Sequence, residues 1–353
     1  MTTTIIIILL LSLYVLKSIV IGVHLSKSGG VKNGDEYFLA GRSLNWVFLG
    51  FTVFATWIST FAYLGSPGFY YSKGVQWLFT HGALVVLSPL LLWFIGRKIW
   101  AVGQAHKCLT PGDLLYILHK NKSVRIMSGI ISLFALIPYS LIQLIGIGKV
   151  VSVATQGTIS FGLGVVIAGI VIGFYAFYGG IRAIIWTDIF QSILFMGVMI
   201  VSAIVAVYYS GGFVDGLARS IQSDIDVFIL NQSSFGSPIT LALIWTFGFV
   251  TLPHMWQRIY MAKSVQTISK TVVFSCGLTF FFVLFPCLTT GIYSIGLIPY
   301  LADTDALLPT LLGRYFEIGL PFLVLGTFAA GMSTIDSQLL TSSSILVKDI
   351  LEP

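Results

Sequence analysis

The chain has 353 residues, of which 56% are hydrophobic and only 9% are charged, and its formal net charge is +6. Soluble domains usually carry about 25% charged residues, so this composition excludes a soluble fold. Many apolar stretches of roughly 20 residues, the length of a membrane-spanning helix, predict an all-α polytopic membrane protein and exclude the alternating pattern of a β-barrel.

The spans can be read directly from hydropathy. The first follows no basic segment and is long enough to cross a bilayer, so we expect a retained helix rather than a cleaved signal. The nine predicted spans are residues 4–23, 44–71, 75–97, 126–153, 159–178, 183–209, 237–257, 268–293 and 318–346. They predict one transmembrane domain over residues 1–353.

The basic residues predict the orientation of these spans. With the amino terminus outside and the carboxyl terminus cytoplasmic, inner loops hold fourteen basic residues and outer loops four, as the positive-inside rule requires. This explains the net charge without a nucleic-acid partner and indicates a cell membrane. The inner set is Lys27, Lys32, Arg42, Arg97, Lys98, Lys107, Lys120, Lys122, Arg125, Arg182, Arg258, Lys263, Lys270 and Lys348, and the outer set is Lys73, Lys149, Arg219 and Arg314.

The second span contains a polar cluster, in FATWISTFAYLGSPGFYY. Thr56, Ser59 and Thr60 share a helical face, and a Gly-Ser-Pro-Gly sequence then interrupts the helix. Polar groups in hydrocarbon need partners, so such a cluster is a candidate ion or solute site. The alternative is that the hydroxyls bond to their own preceding turn and that the glycines only ease packing.

Asp188 is an ionisable residue inside a span, in GGIRAIIWTDIFQSILF. A charge there is costly unless it faces protein or water. The preceding Arg182 marks the inner side, so we expect Asp188 near the cytoplasmic end of its span. Both a structural pair with an inner-loop arginine and a role in ion exit fit this position.

A second broken span is predicted in LIWTFGFVTLPHMWQRIY. Pro253 removes a backbone donor, so carbonyls around Phe249 should be left free to bind another group. His254 follows, and we expect a structural hydrogen-bonding histidine rather than a proton carrier.

The last span carries hydroxyl groups along one face, in GTFAAGMSTIDSQLLTSS. A stripe of small residues is ordinarily a close-packing surface. The hydroxyls of Ser333 and Thr334 beside the small Ala330 also suit a hard monovalent cation, with carbonyls of a broken helix opposite completing the shell. Asp336 is expected to face an aqueous path. The full stripe is Ala330, Ser333, Thr334, Ser337, Thr341 and Ser344.

Other features argue against catalysis. Cys108, Cys276 and Cys287 have no metal-binding or redox spacing and are read as packing residues. The spans lack paired carboxylates, HExxH and GxSxG, and His81 and His254 have no evident partner, so an enzyme is not expected.

Four segments together resemble the sodium:solute symporter family, which includes proline and pantothenate permeases and sodium/glucose cotransporters. They are AGRSLNWVFLGFTVFATWIS, GGIRAIIWTDIFQ, LPHMWQRIYMAKS and AAGMSTIDSQLLTSSSILVKDI. The resemblance implies a LeuT-type fold with a leading helix in 1–30, a five-helix repeat over 44–209 and an inverted repeat over 237–346. The last two core helices of that fold are missing after the eighth, so the chain is expected to be truncated.

The resemblance also implies site residues. Sodium would be bound by the carbonyls of Ala55, Ile58 and Ala330 and the hydroxyls of Ser333 and Thr334, while Asp188 matches the family's carboxylate on the ion path. The residues implied to line the solute site are Tyr139, Gln143, Trp245, Phe249 and Pro253.

These expectations define a function. The chain is expected to import a small organic solute with sodium by alternating access. Trp57 replaces an aspartate of the proline permease, and the wording SPGFYYSKG and LPHMWQRIY is nearer the pantothenate and monocarboxylate branch, which favours a carboxylate-bearing solute. The alternatives are a solute-sensing domain of a larger signalling protein and a non-functional fragment.

Overall fold

The computed structural model describes residues 2–29, 34–230 and 236–353, and Lys32 of the predicted inner set lies outside them. The described part of the chain consists of helices and connecting loops, and its only β-type pairing is an isolated bridge between Leu44 and Ala262, which confirms the all-α prediction. The helices are α1 (Thr2–Gly29), α2 (Gly34–Leu39), α3 (Trp46–Trp57), α4 (Ser66–Lys73), α5 (Val75–His106), α6 (Pro111–His119), α7 (Lys122–Ala154), α8 (Phe161–Ser210), α9 (Phe213–Ser223), α10 (Gly236–Thr251), α11 (Pro253–Met261), α12 (Val265–Phe282), α13 (Leu288–Ile295), α14 (Leu307–Tyr315) and α15 (Leu320–Ile345).

These helices account for the predicted spans. Among the described residues, six helices are long and apolar enough to cross a membrane. Two more spans are bent pairs, α3 with Phe61–Lys73 and α10 with α11, and the predicted span 159–178 begins as the shorter apolar helix Phe161–Phe174. The protein is therefore a multi-pass membrane protein, and it has two spans that are broken.

The prediction of separate spans over 159–178 and 183–209 agrees with a kink inside α8. Gly180 has φ 54°, a conformation that residues with a side chain rarely adopt. The Tyr37 ring packs so close that a Cβ at Gly180 would lie 3.0 Å from it. Glycine is therefore required here on both grounds.

The outer surface and the centre of the fold have opposite characters. On α7, Ile131, Phe134 and Ile137 are largely exposed, which suits contact with lipid tails. By contrast, an apolar 18-residue stretch of the span Glu317–Leu351, which contains α15, is 89% buried. Helix α15 packs against α1, α3, α7 and α8.

Small residues allow this central position. A Cβ on Gly331 would lie 2.7 Å from Ile147 of α7, and one on Gly326 would collide with the Tyr63 hydroxyl. Two glycines that neighbour the stripe therefore let α15 pack closely against the first broken span and α7. The same packing brings the α15 hydroxyls into the interior.

The carboxyl end of α15 is fixed by a cluster of Thr110, Asp113, Arg125 and Asp349. The buried Asp349 accepts hydrogen bonds from Thr110 Oγ1 at 2.7 Å and from Arg125 Nε at 3.0 Å. Arg125 also pairs with Asp113, which forms a capping box with Thr110 at the start of α6. This cluster joins the chain after α15 to α6 and α7.

A second ionic contact lies at the opposite end of α7. Lys149 Nζ lies 2.9 Å from Asp303 and 2.8 Å from Asp305, and its hydrogen bond lowers the pKa of Asp303. Thr304, between these aspartates, packs directly on Gly68 of α4. The segment before α14 therefore covers the second half of the first broken span.

Asp349→Ala should lower the free energy of unfolding by about 1–3 kcal/mol, because Arg125 keeps Asp113 but loses a buried partner. The measurement is the apparent thermal unfolding midpoint of the detergent-purified protein. Glu352→Ala, which removes an exposed carboxylate three residues away, is the control and should leave the midpoint unchanged. Equal midpoints for the two variants would contradict a stabilising role for the cluster.

Candidate functional site

The first broken span leaves two backbone carbonyls without their helical donors. Helix α3 ends at Trp57, and the chain bends by 66° before continuing. Ser59 N donates to the Trp57 carbonyl instead of to Ala55, and Thr60 N donates to Gln143 Oε1 at 2.7 Å instead of to Thr56. The carbonyls of Ala55 and Thr56 are therefore free to accept bonds from another element.

Gln143 holds this break in place from α7. Its Oε1 also accepts a hydrogen bond from Thr60 Oγ1 at 2.8 Å, and its Nε2 donates to the Tyr139 carbonyl at 3.3 Å. The family resemblance implied that Gln143 lines the solute site. In this conformation both ends of its amide are engaged within the protein, and its contact with solute stays a prediction.

Hydroxyl groups of α15 donate hydrogen bonds to the freed carbonyl oxygens. Ser333 Oγ lies 3.0 Å from the carbonyl oxygens of both Ala55 and Ala330, and Thr334 Oγ1 lies 3.4 Å from that of Thr56 and 3.2 Å from that of Ala330. All five residues are buried. The structure thus brings Ala55, Ala330, Ser333 and Thr334 together, and adds the Thr56 carbonyl to the set.

The remaining predicted ion ligand, Ile58, lies within the break itself. It is buried, and its backbone at φ −81° and ψ 82° is no longer helical. The converging groups are all neutral oxygens, the ligand type that hard cations prefer. Among the residues that the structure describes, no group of three or more His, Cys, Asp or Glu side chains could hold a metal ion.

Asp188 of α8 is buried beside Thr52, which lies one helical turn before Thr56 on α3. It accepts a short hydrogen bond from Thr52 Oγ1, and its Oδ2 lies 3.7 Å from Nη2 of Arg258. Arg258 was expected in an inner loop as a topology signal, and this is wrong: its side chain is only 2% exposed. The structural pair between Asp188 and an arginine is present.

The Arg258 guanidinium also bonds to several neutral oxygens of α3 and α15. Nε donates to the Thr52 carbonyl at 3.2 Å, and Nη2 donates to Ser337 Oγ at 2.6 Å and to Thr56 Oγ1. Sequence reasoning missed this network. The available signal was that Asp188, inside an apolar span, requires a cationic partner.

Asp336 is the third buried charge. It was expected to face an aqueous path, but its side chain is fully buried, with Oδ1 accepting a bond from Ser337 N at 2.8 Å. It lies within electrostatic reach of Asp188 and Arg258. When ionised, the three groups leave one uncompensated negative charge, which a monovalent cation at the neighbouring oxygens would balance.

The second broken span differs from the first. Helices α10 and α11 meet at 52°, with Leu252 extended between them. The expected free carbonyls around Phe249 are absent from this described segment: Leu252 N donates to the Phe249 carbonyl at 3.2 Å, and Trp256 Nε1 donates to that of Val250 at 2.9 Å. The Phe249 and Val250 carbonyls are therefore bonded locally, the first by a backbone amide and the second by an indole from the next turn.

The predicted solute-lining residues fall into two groups. Phe249 stacks on Trp57 with ring centroids 4.3 Å apart, and Trp245 meets the edge of Phe61 at 5.4 Å. These contacts form an aromatic wall between the two broken spans. Pro253 begins α11, beyond this wall.

Tyr139 lies apart from the aromatic wall, between the two breaks. Its ring lies 6.1 Å from that of His254, and its phenol lies beside the Ser59 hydroxyl. His254 is fully buried, and neither of its ring nitrogens has a hydrogen-bond partner among the described residues. The expectation of a hydrogen-bonding structural histidine is therefore wrong.

Comparison with known proteins identifies relatives. The model of the sodium:solute symporter family matches residues 37–352. The chain is 28% identical over 324 residues to the sodium/pantothenate symporter of Haemophilus influenzae, covering 89% of this chain and 66% of the relative. It is also 28% identical over 334 residues to the high-affinity proline transporter PutP of Bacillus subtilis, covering 90% and 68%. These relatives are transporters and not enzymes, as expected.

A solved structure is similar throughout the chain. It is that of a Na⁺-coupled sialic acid symporter in a substrate-bound outward-open state, with a TM-score of 0.78 and 21% identity, covering 98% of this chain and 75% of that one. The likeness confirms the LeuT-type fold. The chain spans about two thirds of the length of the curated relatives it matches.

Arg258→Met should lower the free energy of unfolding by about 3–5 kcal/mol, because Asp188 is left as an unpaired buried charge. Asp188→Leu should cost a similar amount for the opposite reason. The double variant should be destabilised by much less than the sum, since neither charge remains.

The measurement is a double-mutant cycle from denaturant unfolding in mild detergent. Lys263→Met, which removes an exposed positive charge just after α11, is the matched control and should have little effect. Additive losses in the double variant would show that the two side chains do not interact.

Proposed function

The chain belongs to the sodium:solute symporter family, and on that basis we propose that it is a sodium-coupled secondary transporter of a small organic solute. The observation that carries this proposal is the meeting of five oxygens at the first break. They are the carbonyls of Ala55, Thr56 and Ala330 and the hydroxyls of Ser333 and Thr334.

Sodium would bind by replacing the hydrogen bonds that now join α3 to α15. Each hydroxyl proton points at a carbonyl; when the hydroxyls rotate, their lone pairs and the carbonyl oxygens can face one ion. The Ile58 carbonyl, released by the break, is the proposed further ligand. An ion held this way fixes the broken span against α15, so it stabilises the conformation in which both elements are close.

Coupling then follows from a difference in affinity. If sodium and solute both bind more tightly to the conformation open to the outside, each increases the affinity for the other. A membrane potential of 100 mV contributes about 2.3 kcal/mol per charge that enters. We propose Asp188 as the next carboxylate on the ion path, which requires Arg258 to release it during exit.

The proposed solute bears a carboxylate and lies beside the aromatic wall of Trp57, Phe61, Trp245 and Phe249, with Tyr139 and Pro253 across from it. Aromatic walls with few polar groups suit a small organic molecule. A relative is named for pantothenate, which is a carboxylate. The proposed location is a cell membrane, with the amino terminus outside and the basic loops in the cytoplasm.

Sodium should raise the thermal unfolding midpoint of the purified protein over that in equimolar potassium, because a ligand that binds only the folded state stabilises it. Ser333→Ala and Thr334→Val should each weaken the apparent sodium affinity by roughly 10- to 100-fold, as expected when a hydrogen-bonding group to a charge is lost. In proteoliposomes, sodium-driven uptake of radiolabelled pantothenate or proline should need a higher sodium concentration in these two variants than in the unmodified protein, by the same factor as their loss of sodium affinity.

Thr327→Val is the matched control, since this threonine lies on the same helix, is equally buried and donates only to the Leu323 carbonyl of its own turn at 2.8 Å. It should keep the sodium affinity of the unmodified protein. A midpoint that does not respond to sodium, or a response that survives both changes at residues 333 and 334, would overturn the proposed ion site.

A further inference from the structure

His254 has no hydrogen-bond partner for either nitrogen within the described residues, although it is fully buried beside the two breaks. A neutral imidazole has one donor and one acceptor, and a charged one has two donors. Leaving such a group unpaired in the interior costs about 1–3 kcal/mol. An unpartnered buried group of this kind requires an explanation, such as a ligand that completes it.

The position of His254 at the start of α11 adds a second reason. Pro253 opens this nine-residue helix, so its first-turn amides point back toward the break between α10 and α11. The amino-terminal end of a helix carries a partial positive charge that favours anions. His254 therefore places its own unpaired nitrogens beside a backbone that already favours negative charge.

The opposite side of this position is formed by the first broken span. Tyr139 lies 6.1 Å from His254 by ring centroids, and the Ser59 hydroxyl lies next to the Tyr139 phenol. Hydrogen-bonding groups of both breaks thus face one another across Tyr139. A small polar group bound there would contact both elements that the proposed ion site also involves.

The surrounding charges favour an anionic group over a cationic one. The His254 carbonyl accepts a bond from Arg258 Nη1 at 3.2 Å, so a buried guanidinium lies one turn further along the same helix. Its partner Asp188 lies on the far side of that guanidinium, toward Thr52. A bound sodium ion at Ser333 and Thr334 would balance the remaining negative charge of Asp336, so Arg258, which bonds to the His254 carbonyl, is the charge that bears most directly on this position.

From this geometry we infer that His254 is the specificity-determining residue that binds the carboxylate of the solute. This rests on the proposed function. It assigns the imidazole N–H as donor to one carboxylate oxygen, with the Tyr139 and Ser59 hydroxyls on the opposite side of the same group. In the first turn of α11 Pro253 has no N–H and the Met255 amide already donates to the Leu252 carbonyl, so the imidazole is the main donor of this helix. Neutral analogues of the solute would leave the imidazole and helix end with a weaker acceptor.

The test uses matched pairs of acid and neutral probes: pantothenate with pantothenyl alcohol, and propionate with propionamide. Binding to the purified protein is measured by calorimetry in saturating sodium. At least one acid should bind 10-fold or more tightly than its neutral counterpart. His254→Leu should weaken that acid by about 10- to 100-fold and bring the acid-to-neutral ratio near one. His254→Gln, which keeps a donor, should restore part of the preference.

His81→Leu is the control for histidine removal, because His81 is also buried with an unpartnered Nδ1 but lies on α5 beside Trp77. It should keep the acid preference. The rise in unfolding midpoint with sodium should persist in His254→Leu, which shows that the variant is folded and that its ion site is intact.

Three results would each overturn the assignment of His254. The unmodified protein could bind acids and neutral analogues equally, it could bind no acid, or the acid preference could survive His254→Leu. These results are separable from failure of the proposed function. That failure is reported by the sodium response and its loss at Ser333 and Thr334, which does not depend on His254.

Discussion

The helix break at Ile58 to Thr60 leaves backbone groups that need new hydrogen-bond partners, and the surrounding structure supplies them. An unsatisfied backbone group in a dry interior costs several kcal/mol, so a helix interrupted inside a membrane needs replacement partners from its neighbours. Gln143 supplies an acceptor for the Thr60 amide, while Ser333 and Thr334 supply donors for the carbonyls of Ala55 and Thr56. Because these donors are rotatable hydroxyls, the same carbonyls can be satisfied either by the protein or by a small cation.

The buried charges set a second constraint on the same region. Arg258 bonds to oxygens of α3 and α15 that lie one turn from the proposed ion ligands, and it is the cation paired with Asp188. A fixed guanidinium competes with a mobile ion for nearby oxygens, so it restricts where sodium can bind. At the proposed ion site, an ionised Asp336 would supply the negative charge that a monovalent cation at Ser333 and Thr334 balances.

Hydropathy predicted the spans well because it depends only on local composition, and Pro253 predicted the position of the second break. The first break was predicted at the wrong place: the helix continues through Gly65 to Gly68, and the chain breaks instead at Ile58 to Thr60. Contacts between distant elements were not predictable in this way. Nothing in the sequence around Gln143 indicates that its amide replaces a helical acceptor at Thr60. Arg258 was counted as a loop residue because the positive-inside rule counts basic residues near span ends, whereas the 52° bend before α11 turns this one into the interior. The free carbonyl expected at Phe249 was also not found, since the Leu252 amide donates to it and the Trp256 indole donates to the next carbonyl, of Val250.

Close packing of α15 and the proposed cation binding depend on each other. Gly326 and Gly331 allow Tyr63 and Ile147 to approach the α15 backbone, and only at that separation can the Ser333 hydroxyl reach the Ala55 carbonyl at 3.0 Å. A bulkier stripe would separate α15 from the break and leave the carbonyls unsatisfied. The ends of the fold are held separately, by the cluster around Asp349 and by Lys149 with its aspartates. In the proposed transport cycle these two contacts would open alternately, while the packing of α15 on the break responds to the ion.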